Sequence, residues 1–147
     1  MDYKLLCAQL KALTEDVENV ISNLSNASAL LWQELADINW AGFYKMEGGI
    51  LVLYPFQGKP ACTKIAVGKG VCGTAVAENR TQLVPDVHQV PGHIACDCAS
   101  NSEIVVPIHM NGEIWGVLDI DSPSFSRFNE EDQKGLENFV KILETVL

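Results

Sequence analysis

Apolar residues recur at three- and four-residue spacing from Leu6 through Leu10, Leu13, Val17, Ile21, Leu24, Leu31, Leu35 and Ile38. That spacing predicts an amphipathic helical stripe near the start of the chain. The stretch from Ser22 to Ser28 is rich in Ser and Asn, whose side chains compete with backbone hydrogen bonding, so the stripe is expected to break there into two helices. A second stripe, Leu136, Val140, Leu143 and Leu147, follows Asn129 and the acidic residues Glu130, Glu131 and Asp132. Asn129 reads as an N-cap, and the acids suit the positive end of a helix dipole.

Between the stripes the period shortens. Trp40 to Met46 and Ile50 to Phe56 flank Glu47-Gly48-Gly49, and Glu103 to Met110 and Glu113 to Asp121 flank Asn111-Gly112. Both read as β-hairpins, the second with the stronger turn signal. Cys62 to Val67 suggests another strand, Gly68-Lys69-Gly70 a loop, Val71 to Glu78 a short helix and Thr81 to Val84 a short strand. Pro85 to Ser102 reads as a long loop, and loops of that length inside a compact domain are usually functional or disordered. Helices on either side of a run of hairpins predict an α+β fold. The expectation is a single domain over residues 1–147, with a central antiparallel sheet and N- and C-terminal helices.

Composition narrows the function classes. An apolar content of 48% in 147 residues is enough for a full core. The net charge of −9 disfavours nucleic acid and anionic membrane as partners. Charged residues interrupt the first twenty positions, which disfavours a secretory signal, and the longest strongly apolar run, Ile50 to Tyr54, is far too short to span a bilayer. A cytoplasmic location follows as the expectation. In that reducing compartment, cysteines are more often catalytic, metal-bound or inert than structurally paired.

That matters because four of the five cysteines, Cys62, Cys72, Cys96 and Cys98, fall in one stretch among Gly-rich turns and loops. Thiols in loops react more readily than buried ones, which makes redox chemistry the first expectation. Cys96 and Cys98 could instead be incidental small loop residues. They could also join Cys72, His88 and His93 around zinc, but no paired C-x-x-C supports a site, so neither metal nor cofactor is expected. Protonated His88 or His93 could favour a neighbouring thiolate. His109 reads as structural, and Cys7, on the first helix, as inert.

Asp119 and Asp121 are two apart in a strand and share one face. They are either a solvated strand edge or a site that binds a cation or shares a proton, and Glu103 on the partner strand could join them. Trp40 and Tyr44 share a strand face, as core or as a pocket wall. Gly68-Lys69-Gly70-Val71-Cys72-Gly73 lacks the spacing and the Lys-Ser/Thr pair of a nucleotide-binding loop.

Taken together and in order, Trp40-Ala41-Gly42-Phe43-Tyr44, Pro55-Phe56-Gln57-Gly58, Gly68-Lys69-Gly70-Val71-Cys72-Gly73, His93-Ile94-Ala95-Cys96-Asp97, Ser102-Glu103-Ile104-Val105-Val106-Pro107 and Gly116-Val117-Leu118-Asp119-Ile120-Asp121-Ser122 closely resemble the free methionine-(R)-sulfoxide reductases, enzymes built on a GAF domain. The resemblance covers nearly the whole chain and is least specific in the terminal helices. It implies free L-methionine (R)-sulfoxide as substrate, with the ammonium group bound by Glu103, Asp119 and Asp121 and the sulfoxide oxygen polarised or protonated by the same acids. It places Trp40 over the S-methyl group and Tyr44 on the pocket wall. By resemblance Cys96 is the nucleophile that becomes a sulfenic acid, and Cys62 resolves it to a disulfide that thioredoxin reopens. Cys72 corresponds to a third family cysteine, an alternative resolving thiol. Cys98 departs from the family pattern and is a competing resolver, although a disulfide between residues two apart is geometrically strained. A homodimer is left open. The rival readings are a ligand-binding GAF module that signals by conformation, for which an output domain would be expected, and a zinc-stabilised structural protein.

Overall fold

A computed structural model of the protein describes residues 1–92 and 99–147. Helices α1 (Tyr3–Thr14) and α2 (Val20–Glu34) begin the chain, each capped by a side-chain oxygen, Asp2 on the Leu5 amide and Asn19 on the Ser22 amide. The break between them falls at residues 15–19, where Asp16 takes a positive φ of 60°, and not between Ser22 and Ser28 as the composition predicts. The polar residues of α2 are satisfied without breaking it. Ser28 lies within hydrogen-bonding reach of the carbonyl oxygens of Leu24 at 2.8 Å and Pro55 at 3.1 Å. Asn23 donates back to the Val17 carbonyl at 2.9 Å, which ties down the connection between the helices.

Strands β1 (Trp40–Glu47) and β2 (Ile50–Gly58) form the first hairpin, closed by Gly48 and Gly49 at φ 60° and 82°. Those positive angles are what the tightest hairpin turn demands, and glycine supplies them without steric cost. The predicted third strand is shorter than expected, β3 (Lys64–Ala66), because Cys62 and Thr63 lie outside its ladder. Helix α3 (Gly70–Glu78) and strand β4 (Gln82–Val84) follow. The loop after β4 holds one 3-10 turn, Val87–Gln89, capped by Asp86. Strands β5 (Ser102–Met110) and β6 (Glu113–Ser122) form the second hairpin around Asn111-Gly112, and α4 (Glu130–Glu144) ends the fold. Asn129 and Asp132 build a reciprocal capping box at its start.

Among the described residues, the strands form one antiparallel sheet in the order β3-β2-β1-β6-β5-β4. The α+β expectation is met, and the two hairpins join through β1 and β6. Alternation along the strands divides the side chains cleanly. Ala41, Phe43, Ile104, Val106, Ile108, Leu118 and Ile120 point to the face covered by α1, α2 and α4, where Leu6, Leu10, Leu31, Leu136 and Phe139 complete the main core. Trp40, Tyr44, Val105 and Val117 point to the other face, toward Val71, Cys72 and Ala75 of α3. Glu103, Asp119 and Asp121 share the parity of this second face. No helix among the described residues is long and apolar enough to cross a membrane.

Candidate active site

The second face of the sheet carries a pocket of about 70 Å³. Its floor comes from three adjacent strands: Trp40 and Tyr44 of β1, Asp119 and Asp121 of β6, and Glu103 of β5. Its walls are Cys72, Val71 and Gly70 of α3, Lys69 before it, and Pro60, Ala61, Cys62 and Ile65 from the segment leading through β3. Ser100 closes one side.

Register explains why the acids converge. Glu103 stands opposite Asp121 in the β5–β6 ladder, and Asp119 stands opposite Val105. Across the other edge of β6, Asp121 faces Trp40 and Asp119 faces Gly42. The three carboxyl groups and the indole therefore meet on one side of the sheet. Glu103 and Asp119 are buried, at 7% and 6% exposure, so the solvated-edge reading of this cluster is set aside. Burial pushes the Glu103 carboxyl well above the usual carboxylate range, and the charges of Asp119 and Asp121 push it further. Glu103 also shares hydrogen bonds with both aspartates. A hydrogen bond between two carboxyl groups requires a proton, so the cluster retains an acid where an isolated carboxylate would have lost it.

The aromatic side is equally fixed. Trp40 stacks on Tyr44 with ring centroids 5.8 Å apart and on Phe56 at 5.1 Å. Its indole N–H donates to the Lys59 carbonyl at 3.1 Å. Gly58 makes this possible, since a Cβ there would lie 2.7 Å from the Trp40 ring. Tyr44 donates its phenol to the Cys62 carbonyl at 2.9 Å, and burial keeps that phenol protonated far beyond its ordinary range. The indole lines the pocket and is only 3% exposed, so the core and pocket-wall readings of Trp40 are both met in one residue.

The thiols differ in environment. Cys62 is disulfide-bonded and lines the pocket, whereas Cys7 and Cys72 are free. Cys72 lies in the first turn of α3, within the short helix expected over Val71 to Glu78, but at 4% exposure it is not the accessible thiol that its glycine-rich surroundings suggest. Burial pushes its thiol well above the ordinary cysteine range, and the neighbouring acids push it further. His93, Cys96 and Cys98 lie outside the described residues. His88 is exposed and pairs through Nε2 with Asn101 at 3.0 Å. His109 pairs with Asn79 at 2.6 Å, in keeping with a structural role.

Three residues in or directly behind the pocket carry no role in the sequence-based expectation. Phe56 extends the aromatic stack, Ser100 lies within 3.2 Å of the Asn39 amide nitrogen, and Lys69 supplies a cation at the pocket wall. Phe56 and Lys69 stand inside quoted motifs, and strand parity relative to Trp40 was the available signal for Phe56. Ser100 carries no local signal.

The family model of the GAF domain matches residues 12–147. The chain is 55% identical over 145 residues to the free methionine-R-sulfoxide reductase of Escherichia coli (strain K12), covering 99% of this chain and 88% of the relative. The fRMsr structure of Staphylococcus aureus in its reduced form superposes with a TM-score of 0.97 at 57% identity, covering 99% of this chain and 95% of the other. A free methionine-R-sulfoxide reductase from Neisseria meningitidis, solved in complex with its substrate, superposes with a TM-score of 0.95 at 42% identity over 98% of this chain and 87% of that one.

Proposed function

We propose, from the premise that this chain belongs to the GAF-domain family and within it to the free methionine-R-sulfoxide reductases, that it reduces free L-methionine (R)-sulfoxide to L-methionine. The observation that carries the reading to this chain's own residues is the convergence of Glu103, Asp119 and Asp121 with Trp40 in one small pocket lined also by two cysteines.

In this reading residues 1–147 act as a single domain. The substrate's ammonium group sits against the carboxylates, whose negative charge supplies the attraction in a poorly solvated site. Trp40 covers the S-methyl group and Tyr44 lines the wall beside it. Cys96 attacks the substrate sulfur as a thiolate, and Glu103, with Asp121 beside it, places a proton on the sulfoxide oxygen. The sulfoxide sulfur gains two electrons and leaves as methionine. The oxygen passes as hydroxyl from the substrate sulfur to the Cys96 sulfur as the bond between the two sulfurs breaks, so Cys96 loses two electrons and holds that oxygen as sulfenic acid. The Cys62 thiol then displaces that oxygen as water and forms a disulfide, which a dithiol protein of the thioredoxin type reopens by exchange. The disulfide-bonded state of Cys62 beside the pocket supports its place as resolver. Such recycling suits a reducing compartment, the cytoplasm.

Substrate choice tests the proposal. A thioredoxin-coupled assay with stereochemically pure free sulfoxides should show turnover of the (R) epimer, with the (S) epimer and peptide-bound sulfoxide largely untouched. An amide-linked residue lacks the ammonium charge and is bulkier than a free amino acid. Comparable turnover of a peptide sulfoxide would point instead to a general repair enzyme.

A further inference from the structure

We propose that Cys72 is a positioning residue, an S–H donor that holds Asp119 ionised so that the acidic proton of the cluster stays on Glu103. The inference rests on the reductase reading and assigns the thiol that reading leaves open between resolving and other duties.

Geometry places Cys72 for this role. It sits in the first turn of α3, whose approach to the sheet is fixed by Gly73: a Cβ there would lie 2.4 Å from the Ala66 carbonyl oxygen. The Gly68 amide donates to the Gly73 carbonyl at 2.8 Å and the Gly73 amide donates to Lys69 at 3.0 Å, so the turn has little freedom to swing outward. The thiol sulfur and one carboxyl oxygen each from Glu103 and Asp119 lie within 4.8 Å of one another, all on buried residues. The thiol is free, and it hydrogen-bonds to Asp119.

A resolving cysteine must become a thiolate and reach the sulfur it attacks. Cys72 meets the opposite conditions, since burial and three neighbouring acids all favour the protonated thiol. A thiol kept protonated is a poor nucleophile but a usable donor. Donation to Asp119 favours that group's ionised form. The proton shared among the three carboxyl groups is then driven toward Glu103, whose side chain bridges both aspartates. Two acids competing for one proton are in this way given unequal roles by a neutral group that adds no charge.

Single-turnover reduction of the free (R)-sulfoxide, followed against pH, tests this in Cys72→Ala and Cys72→Ser proteins shown to be folded by circular dichroism. Cys72→Ala should slow the chemical step about tenfold, the scale of a lost hydrogen bond to a charged group, and should move the alkaline limb of the pH profile. Cys72→Ser keeps an O–H donor and should recover most of that rate and the original profile. If both variants release a full equivalent of methionine at the wild-type rate and stall only in thioredoxin-driven turnover, Cys72 is a resolver and the proposal fails. A rate loss with an unmoved pH profile, equal in both variants, would mean that it only fills space. The pairing can also be read without substrate. The infrared S–H band lost in Cys72→Ala should shift in Asp119→Asn, and an unshifted band would overturn the proposal. A shifted band in a wild-type protein that does not reduce the sulfoxide would sink the reductase reading while supporting the pairing.

Discussion

The hydroxyl of Tyr44 donates to the backbone carbonyl of Cys62 at 2.9 Å, so a residue in the middle of the sheet sets the position of a disulfide-bonded cysteine 18 positions away. Tyr44→Phe removes that bond and leaves the ring stacked on Trp40. The expected outcome is a roughly fivefold loss of thioredoxin-driven turnover, the scale of one ordinary hydrogen bond, with a smaller loss in the single-turnover step. Rapid-quench assays with and without reductant separate the two. An equal loss in both would place Tyr44 in substrate binding alone.

Glu103→Gln and Asp121→Asn should each slow single-turnover reduction by about a hundredfold or more, the usual scale for losing an acid catalyst. Both proteins should fold, because the amide is nearly isosteric with the acid. Near wild-type rates in these two and in Asp119→Asn, at saturating substrate, would show that the cluster is not catalytic.

The same glutamate predicts a pH dependence of stability. Its folded-state carboxyl holds a proton well above the range in which the unfolded chain gives it up. The native state then binds more protons than the unfolded state between those two limits, and stability falls as pH rises through that window. Below the ordinary glutamate range both states are protonated and the effect vanishes. Glu103→Gln should therefore lose less stability than wild type when thermal melts are compared from about pH 5 to about pH 8. Parallel curves would show that Glu103 titrates normally.

Thiol substitution separates attack from recycling. Cys96→Ser should abolish methionine formation even in one turnover. Cys62→Ser should release about one equivalent and then stall. Mass spectrometry of the stalled protein should find Cys96 oxidised. Full steady-state activity of Cys62→Ser would hand the resolving role to Cys72 or Cys98.

Gly116 offers a test on the scaffold. A Cβ at this position would lie 2.1 Å from the Tyr44 carbonyl oxygen, in the β1–β6 ladder that brings Trp40 to Asp121. Gly116→Ala should cost about 1–3 kcal/mol in urea unfolding, the scale of overpacking a filled site, and should weaken substrate affinity as β1 shifts. An unchanged unfolding midpoint would mean that the strands separate there at no cost.

Local chemistry made the hairpins legible. Gly48-Gly49 and Asn111-Gly112 supply the positive φ angles that two-residue turns require, and period-two alternation then put Asp119 and Asp121 on one face. The second turn placed Glu103 only opposite the later end of β6; its pairing with Asp121 depends on a register shift between Ile108 and His109, without which it would face Ile120. What local pattern could not show is that the first hairpin docks on the second through β1 and β6, since residues 40 and 121 meet only in the folded sheet. Composition misled at Ser28, where a carbonyl of β2 receives the hydroxyl that was expected to interrupt the helix. It also misled at Cys72, whose glycine-rich context suggested an accessible thiol although the short helix that carries it was legible. The glycines there serve instead to let α3 press against β3.

The two outermost strands of the sheet, β3 and β4, are three residues each, while the four between them run from eight to ten. A foreign strand seeking to extend the sheet beyond them would find only a three-residue template. β3 pairs with residues 50–52 of β2 and β4 with residues 103–105 of β5, so the longer strands meet an intruder only along the stretches these short ones leave over. Brevity at the margins thus limits cross-chain pairing without abolishing it.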